Sequence, residues 1–198
     1  SMSQEESTLS SVTSTIQSAQ TLIVQAGNGS LSDDDRSSLA TKLQSLKAQL
    51  LNLANSTDGN GHYIFAGYKS DTAPYTQDAT TGAVTYSGGD TAITQQVDAS
   101  RTMTISHTGN QIFVTLTGDA KKEPDGSTGE PDVFKTIDDA LTALKTPSAD
   151  YTSDTEYTDA IDKANRGLSN SLNNVLSVRS ELGTQMAELD NLDTLGDN

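Results

Sequence analysis

From Leu9 the apolar residues of this chain fall at Leu9, Val12, Ile16, Ala19, Ile23 and Ala26, alternately three and four positions apart. That spacing holds one narrow seam in line along an α-helix and requires a second helix to cover it. The seam stops at Gly27-Asn28-Gly29, where a left-handed C-cap suits Gly and is tolerated by Asn. A second helix is predicted to open at Ser32, with Asp35 at capping-box spacing and Asp33, Asp34 and Asp35 at the positive end of its dipole. Its seam is Leu39, Leu43, Leu46, Leu50 and Leu53, and Asp58-Gly59-Asn60-Gly61 ends it. Two helices of about 24 residues, each about 36 Å long, joined by a short loop, form an antiparallel hairpin.

The texture changes after Gly61. Tyr63-Ile64-Phe65 is short and β-prone, and Gly, Thr, Asp and aromatic residues dominate through Gly118. Tyr75 to Gln77 and Val84 to Ser87, around Thr80-Thr81-Gly82, read as a hairpin. Met103 and Ile105 alternate with Thr102, Thr104 and Ser106, and His107-Thr108-Gly109-Asn110 reads as a turn into a strand from Gln111 to Leu116. The expectation is a small antiparallel β unit of four to six short strands, with a surface loop from Asp119 to Pro131.

Helical period returns with Val133, Ile137, Ala140, Leu141 and Leu144, and Pro147 stops it. A last helix is predicted from about residue 154 to 192, with Glu156 at capping-box spacing from Ser153 and Gly183 inside it. Its apolar positions include Ile161, Ala164, Leu168, Leu172, Val175, Leu182, Met186 and Leu189. The predicted class is α+β: an elongated antiparallel helical bundle, two N-terminal helices plus one long C-terminal helix, with a small antiparallel β domain inserted. The expected division is a helical rod over residues 1–66 and 131–198, with the β insert over 67–130.

Composition excludes several functions. Twelve Lys and Arg against 27 Asp and Glu, a net charge of −15, leave no basic face for DNA or RNA. The longest apolar runs are a few residues, Leu22-Ile23-Val24 being typical, so no stretch spans a bilayer as a helix. With no Cys there is no disulfide, no thiolate nucleophile and no Cys-ligated metal. Gln4-Glu5-Glu6 is acidic where a secretory signal is basic. Leu, Ile, Val and Phe make up about 19% of the residues and Ser plus Thr about a quarter, close to the boundary of disorder. Apolar content this sparse folds when it is concentrated into narrow seams.

No residue is expected to act in catalysis, cofactor binding or metal ligation. His62 and His107, the only histidines, are read as surface turn residues with no ligand-spaced carboxylate beside them. Asp33-Asp34-Asp35 is read as a charged first turn. Asp58-Gly59-Asn60-Gly61 lacks the downstream Glu of a calcium loop and the third glycine of a dinucleotide fingerprint. Asp138 and Asp139, adjacent on a helix, point to different faces. Asn28-Gly29-Ser30 and Asn55-Ser56-Thr57 match the glycosylation tripeptide and are read as coincidence. The polar flanks of the seams suit wide, wet contacts between identical subunits better than a ligand pocket.

The ends of the chain carry a more specific pattern. Leu22-Ile23-Val24-Gln25-Ala26-Gly27-Asn28-Gly29-Ser30, followed by Ser32-Asp33-Asp34-Asp35-Arg36-Ser37-Ser38-Leu39, resembles the N-terminal region of bacterial flagellins. Val178-Arg179-Ser180-Glu181-Leu182-Gly183 resembles their C-terminal helix. Between them, Ser56 to Lys69, Gln96 to Gly109 and Phe134 to Pro147 resemble the junction branch of that family. The resemblance implies a structural axial protein of the flagellum, with no enzymatic activity and no cofactor. It implies export by the flagellar type III pathway, an extracellular place, and a ring between hook-associated protein 1 and the flagellin filament. It further implies an export chaperone for the full-length protein, and terminal coiled-coil segments outside this chain, which alone is expected to be monomeric. The alternatives are a short flagellin filament subunit and a surface-exposed, adhesin-like domain.

Overall fold

A computed structural model describes residues 1–153 and 155–196. Five helices and four strands follow in the order α1 (Met2–Ala26), α2 (Asp33–Ala54), β1 (Tyr75–Gln77), β2 (Val84–Tyr86), β3 (Ile93–Asp98), β4 (Arg101–Ser106), α3 (Gly109–Phe113), α4 (Val133–Lys145) and α5 (Glu156–Gly196). A single 3-10 turn, Ser148–Asp150, separates α4 from α5.

Every apolar residue of the first seam, Leu9 through Ala26, is buried. The predicted capping box opens α2: Ser32 Oγ accepts the Asp35 N–H, and Asp35 Oδ2 accepts the Ser32 N–H, both at 3.1 Å. The α1–α2 turn departs from expectation. Gly27 is right-handed at φ −74°, because its N–H still reaches the carbonyls of the last helical turn. The second seam departs too. Leu39, Leu43, Leu50 and Ala54 are buried, but Leu46 and Leu53 lie half-exposed at the edge, and Lys47 takes the place between Leu43 and Leu50.

Helix α1 packs on α2 and α5, and α4 packs on α2 and α5, so the short α4 closes a four-helix ring where three long helices alone would leave α2 uncovered. Its seam of Val133, Phe134, Ile137, Ala140, Leu141 and Leu144 is buried. Helix α5 has 41 residues, a length of about 60 Å, and runs through Gly183 without a break. At its start Glu156 Oε2 accepts the Thr152 N–H and hydroxyl at 2.9 Å, one residue earlier than the predicted Ser153 box.

The β part is two separate antiparallel ribbons, β1–β2 and β3–β4. The first is the predicted hairpin, with Tyr75 opposite Tyr86 and Gln77 opposite Val84. Its turn needs Gly82 at φ +77°, a conformation that costs other residues a steric clash. Strand β3 was not visible in the sequence: only Ile93 and Val97 are apolar, and four of its six side chains are exposed. Two predicted strands are absent from the described residues. Tyr63-Ile64-Phe65 makes one bridge, Tyr63 to Thr57, and then runs as a buried irregular strap. Residues Gln111 to Phe113 lie in α3, because the Gln111 side chain accepts the Thr108 N–H at 2.9 Å and starts a helical turn.

Two-stranded ribbons are marginal alone. Here five aromatic rings anchor the β1–β2 ribbon. Phe113 meets Phe65 edge-on at 5.9 Å and Tyr75 edge-on at 5.6 Å, Tyr75 packs on Tyr86 at 5.1 Å, and Phe134 of α4 joins Tyr75 at 5.5 Å. All three Phe of the chain sit in this cluster, where the β1–β2 ribbon meets the bundle.

Candidate functional site

A heptad seam read backward from Leu9 passes through Glu5 and Met2, and both are buried; Glu5 is 1% exposed. An isolated carboxylate there is costly, and His107 supplies its partner. The His107 N–H donates to Glu5 Oε1 at 2.7 Å, and His107 Nδ1 lies 3.1 Å from Glu5 Oε2. On the other side of the ring, Nε2 lies 3.3 Å from Glu181 Oε2 of α5. One imidazole thus joins α1, the end of β4 and α5. Burial lowers the affinity of His107 for its proton, but the hydrogen bond and charge of Glu5, with Glu181 adding to them, outweigh it and hold the pKa above its ordinary value.

This corrects the reading of His107 as a surface turn residue: it is 4% exposed between two carboxylates from helices more than 70 residues away on either side. Sequence spacing around a histidine reports only local neighbours. The available signal was Glu5 itself, an acid in phase with an apolar seam. His62 does lie exposed in its turn, 3.8 Å from both Asp58 and Asp71.

The same logic applies to Lys47, 2% exposed and in phase with the seam of α2. Its Nζ lies 2.5 Å from Asp138 Oδ1 of α4 and donates to the Gly82 carbonyl at 2.6 Å, tying α2, α4 and the β1–β2 turn together. Asp139 points the other way, to Lys135 at 3.2 Å, as adjacent positions on a helix require.

The motif residues have structural work as well. Val178 and Leu182 are buried between the helices; Arg179 donates to Glu6 Oε1 at 2.8 Å and to Thr13 Oγ1 at 3.2 Å, and Glu181 meets His107. Asn170, wholly buried, exchanges two hydrogen bonds with the Lys121 backbone and fixes the 119–131 loop on α5. Asn55 exchanges two with the Tyr75 backbone, so its amide is committed to holding β1. Asp33 bonds Ser148, which holds its carboxyl below the usual range, and Asp35 serves the cap.

Among the described residues no group of three His, Asp or Glu is arranged to hold a metal ion, and no helix is long and apolar enough to cross a membrane. A cleft of about 220 Å³ between α4 and α5 is lined by Glu130, Thr136, Asp139, Ala160, Lys163 and Ala164. Larger open grooves, about 560 Å³ beside Val24, Asn28 and Lys42 and about 590 Å³ beside Leu176, Arg179 and Met186, lie along the helices.

Residues 1–70 match the family described as the bacterial flagellin N-terminal helical region. Over 196 residues, 98% of this chain, the sequence is 59% identical to flagellar hook-associated protein 3 of Escherichia coli K12 and 60% identical to that of Salmonella typhimurium LT2. The chain spans 61% of the length of each of these relatives. The fold matches the crystal structure of the flagellar junction protein FlgL from Legionella pneumophila, with a TM-score of 0.80 at 20% identity, covering 99% of this chain and 87% of that one. The seams, the capped hairpin and the Val178-to-Gly183 helix thus lie in a chain that is similar along almost its whole length to flagellar hook-associated protein 3, and whose first 70 residues match the bacterial flagellin N-terminal helical region.

Proposed function

We propose that this chain is the rod-and-insert body of a structural junction protein of the bacterial flagellum. In this reading the protein forms a ring that joins the hook, through hook-associated protein 1, to the flagellin filament. The role is mechanical, with no enzymatic step and no cofactor. The observation that carries the reading is identity near 60% to two hook-associated proteins along almost the whole chain. The matched 196 residues take in helices, ribbons and loops alike, which a shared helical scaffold alone does not require.

The physical features agree with a mechanical part. Buried polar bonds cross-link the seams, and the aromatic cluster welds the insert to the bundle. Residues 1–66 and 131–198 form the rod in this proposal, and 67–130 the outward insert. Export by the flagellar type III pathway, an extracellular place and a chaperone for the full-length protein follow from the same reading.

The test is exchange of this segment for the matching one in the Escherichia coli protein, in a strain that lacks the chromosomal copy. Restored swimming with filaments attached to hooks is the expected result. Flagellin shed into the medium from bare hooks would overturn the reading. Filament polymerised by the segment's parent protein without flagellin would favour a filament subunit instead.

A further inference from the structure

The chain has two Asn-Gly pairs in exposed turns, Asn28-Gly29 and Asn60-Gly61. Glycine after asparagine leaves the following peptide nitrogen unshielded, so that it can attack the side-chain amide carbon. The two turns treat that nitrogen differently. In the α1–α2 turn the Leu31 N–H donates to the Asn28 carbonyl at 3.3 Å, and the Gly29 N–H has no acceptor among the described residues. Space around Gly29 is open, with no atom within 4 Å of where a Cβ would stand. The Asn28 Oδ1 accepts two hydrogen bonds, from the Ser30 N–H at 3.1 Å and the Ser30 hydroxyl at 2.8 Å. Those donors polarise the amide and face the oxygen on which negative charge develops when Cγ is attacked.

At the other turn the Gly61 N–H donates to the Asp58 carbonyl at 3.2 Å. The Asp58 carboxylate sits in the same turn, held by the N–H groups of Asn60 and His62 at 2.8 and 3.0 Å. Its negative charge opposes removal of the Gly61 proton. No donor reaches the Asn60 side chain among the described residues.

We infer that Asn28 is a site of spontaneous, non-enzymatic deamidation and that Asn60 is protected from it. The Gly29 nitrogen loses its proton to solvent base and bonds to Asn28 Cγ. The Cγ–Nδ2 bond breaks, and Nδ2 leaves as ammonia after taking up a proton. The resulting succinimide adds one water and opens to aspartate or isoaspartate at position 28. The net change is amide plus water to acid plus ammonia, with no oxidant or cofactor. The product places a new carboxylate in the groove that Asn28 shares with Lys42, Asp35 and the exposed Val24.

The test is ageing of the folded protein at mildly alkaline pH, followed by tryptic mapping. Cleavage at Arg36 and at Lys47 and Lys69 puts the two asparagines in different peptides. The expected result is amide-to-acid conversion about tenfold faster at Asn28 than at Asn60 in the folded chain, with the two rates converging in urea. The S30A variant, which keeps the turn and loses the hydroxyl donor, should convert about threefold more slowly at position 28. Absence of conversion at Asn28, conversion at Asn60 as fast in the folded chain, or an unchanged rate in S30A would each overturn the assignment.

Discussion

Glu5 and His107 stand 102 positions apart in the chain and meet through two contacts, backbone N–H to Oε1 at 2.7 Å and Nδ1 to Oε2 at 3.1 Å. Removing the carboxylate leaves a buried N–H and a buried imidazole without their main acceptor. The E5A variant should lose about 3 kcal/mol of unfolding free energy, read from urea denaturation. E181A removes a carboxylate that is 53% exposed and should cost under about 1 kcal/mol. Equal losses in the two variants would show that His107 does not depend on Glu5.

The proton on His107 adds a pH term of known sign. Its folded pKa is raised, Glu5 and Glu181 outweighing burial. The stabilisation is therefore fully present below the unfolded value of about 6.5, and is lost as pH rises through the folded pKa. Native stability measured from mildly acidic to mildly alkaline pH should fall by an increment that the H107Q variant lacks. A stability difference between the two proteins that is flat with pH would remove this term.

Lys47 gives a contrast between neighbours. D138N weakens the pair that a 2% exposed ammonium depends on and should destabilise by about 2 kcal/mol. D139N loses only an exposed pair with Lys135 and should stay within about 0.5 kcal/mol of the native chain. Hydrogen exchange at residues 78–83 should quicken in K47A, since that side chain holds the Gly82 carbonyl. Unchanged exchange there would separate the turn from the buried lysine.

Tyr75 is 3% exposed, and its hydroxyl has no hydrogen-bond partner among the described residues. Burial raises the phenol pKa, with Tyr86 and Asp132 adding to it, so the group is neutral at any ordinary pH. Y75F deletes an unpaired polar atom while keeping the ring contacts with Phe113 and Phe134. It should raise stability by up to about 1 kcal/mol, seen as a higher Tm. A loss would reveal an acceptor for that hydroxyl.

Gly183 lies exposed inside α5, with open space where a Cβ would stand. G183A should stabilise the helix by about 1 kcal/mol. No gain in thermal unfolding would mean that this part of α5 melts independently of the rest.

What could be read from the sequence was whatever depends on neighbours along the chain. The seam from Leu9 to Ala26, the Ser32–Asp35 box, the Tyr75–Tyr86 hairpin and the long last helix are all local periodicities or caps. What was missed depends on partners far away. The short α3 is the exception: Gln111 to Phe113 has the apolar content of a strand, and a local capping box between Thr108 and Gln111 turns it into helix. Ile64 and Phe65 are buried because the Phe65 ring packs edge-on against Phe113 of α3, not because they have a strand to pair with. His107 depends on distant partners in the same way, since both its carboxylates come from other elements. Glu5 and Lys47 could have been flagged, because a charge in phase with an apolar seam demands a distant counter-charge.

Those two in-phase charges have a consequence for how the helices can slide. A purely apolar heptad seam is nearly indifferent to a slip of seven residues, about 10 Å along the axis. Leu replaces Leu, and the shifted rod is almost as well packed. Glu5 and Lys47 are not repeated along their helices, so any slip carries a bare charge into an apolar layer. They act as keys in a shaft: under axial load the bundle has one seated position, and sliding requires breaking a buried ion pair before any seam can yield.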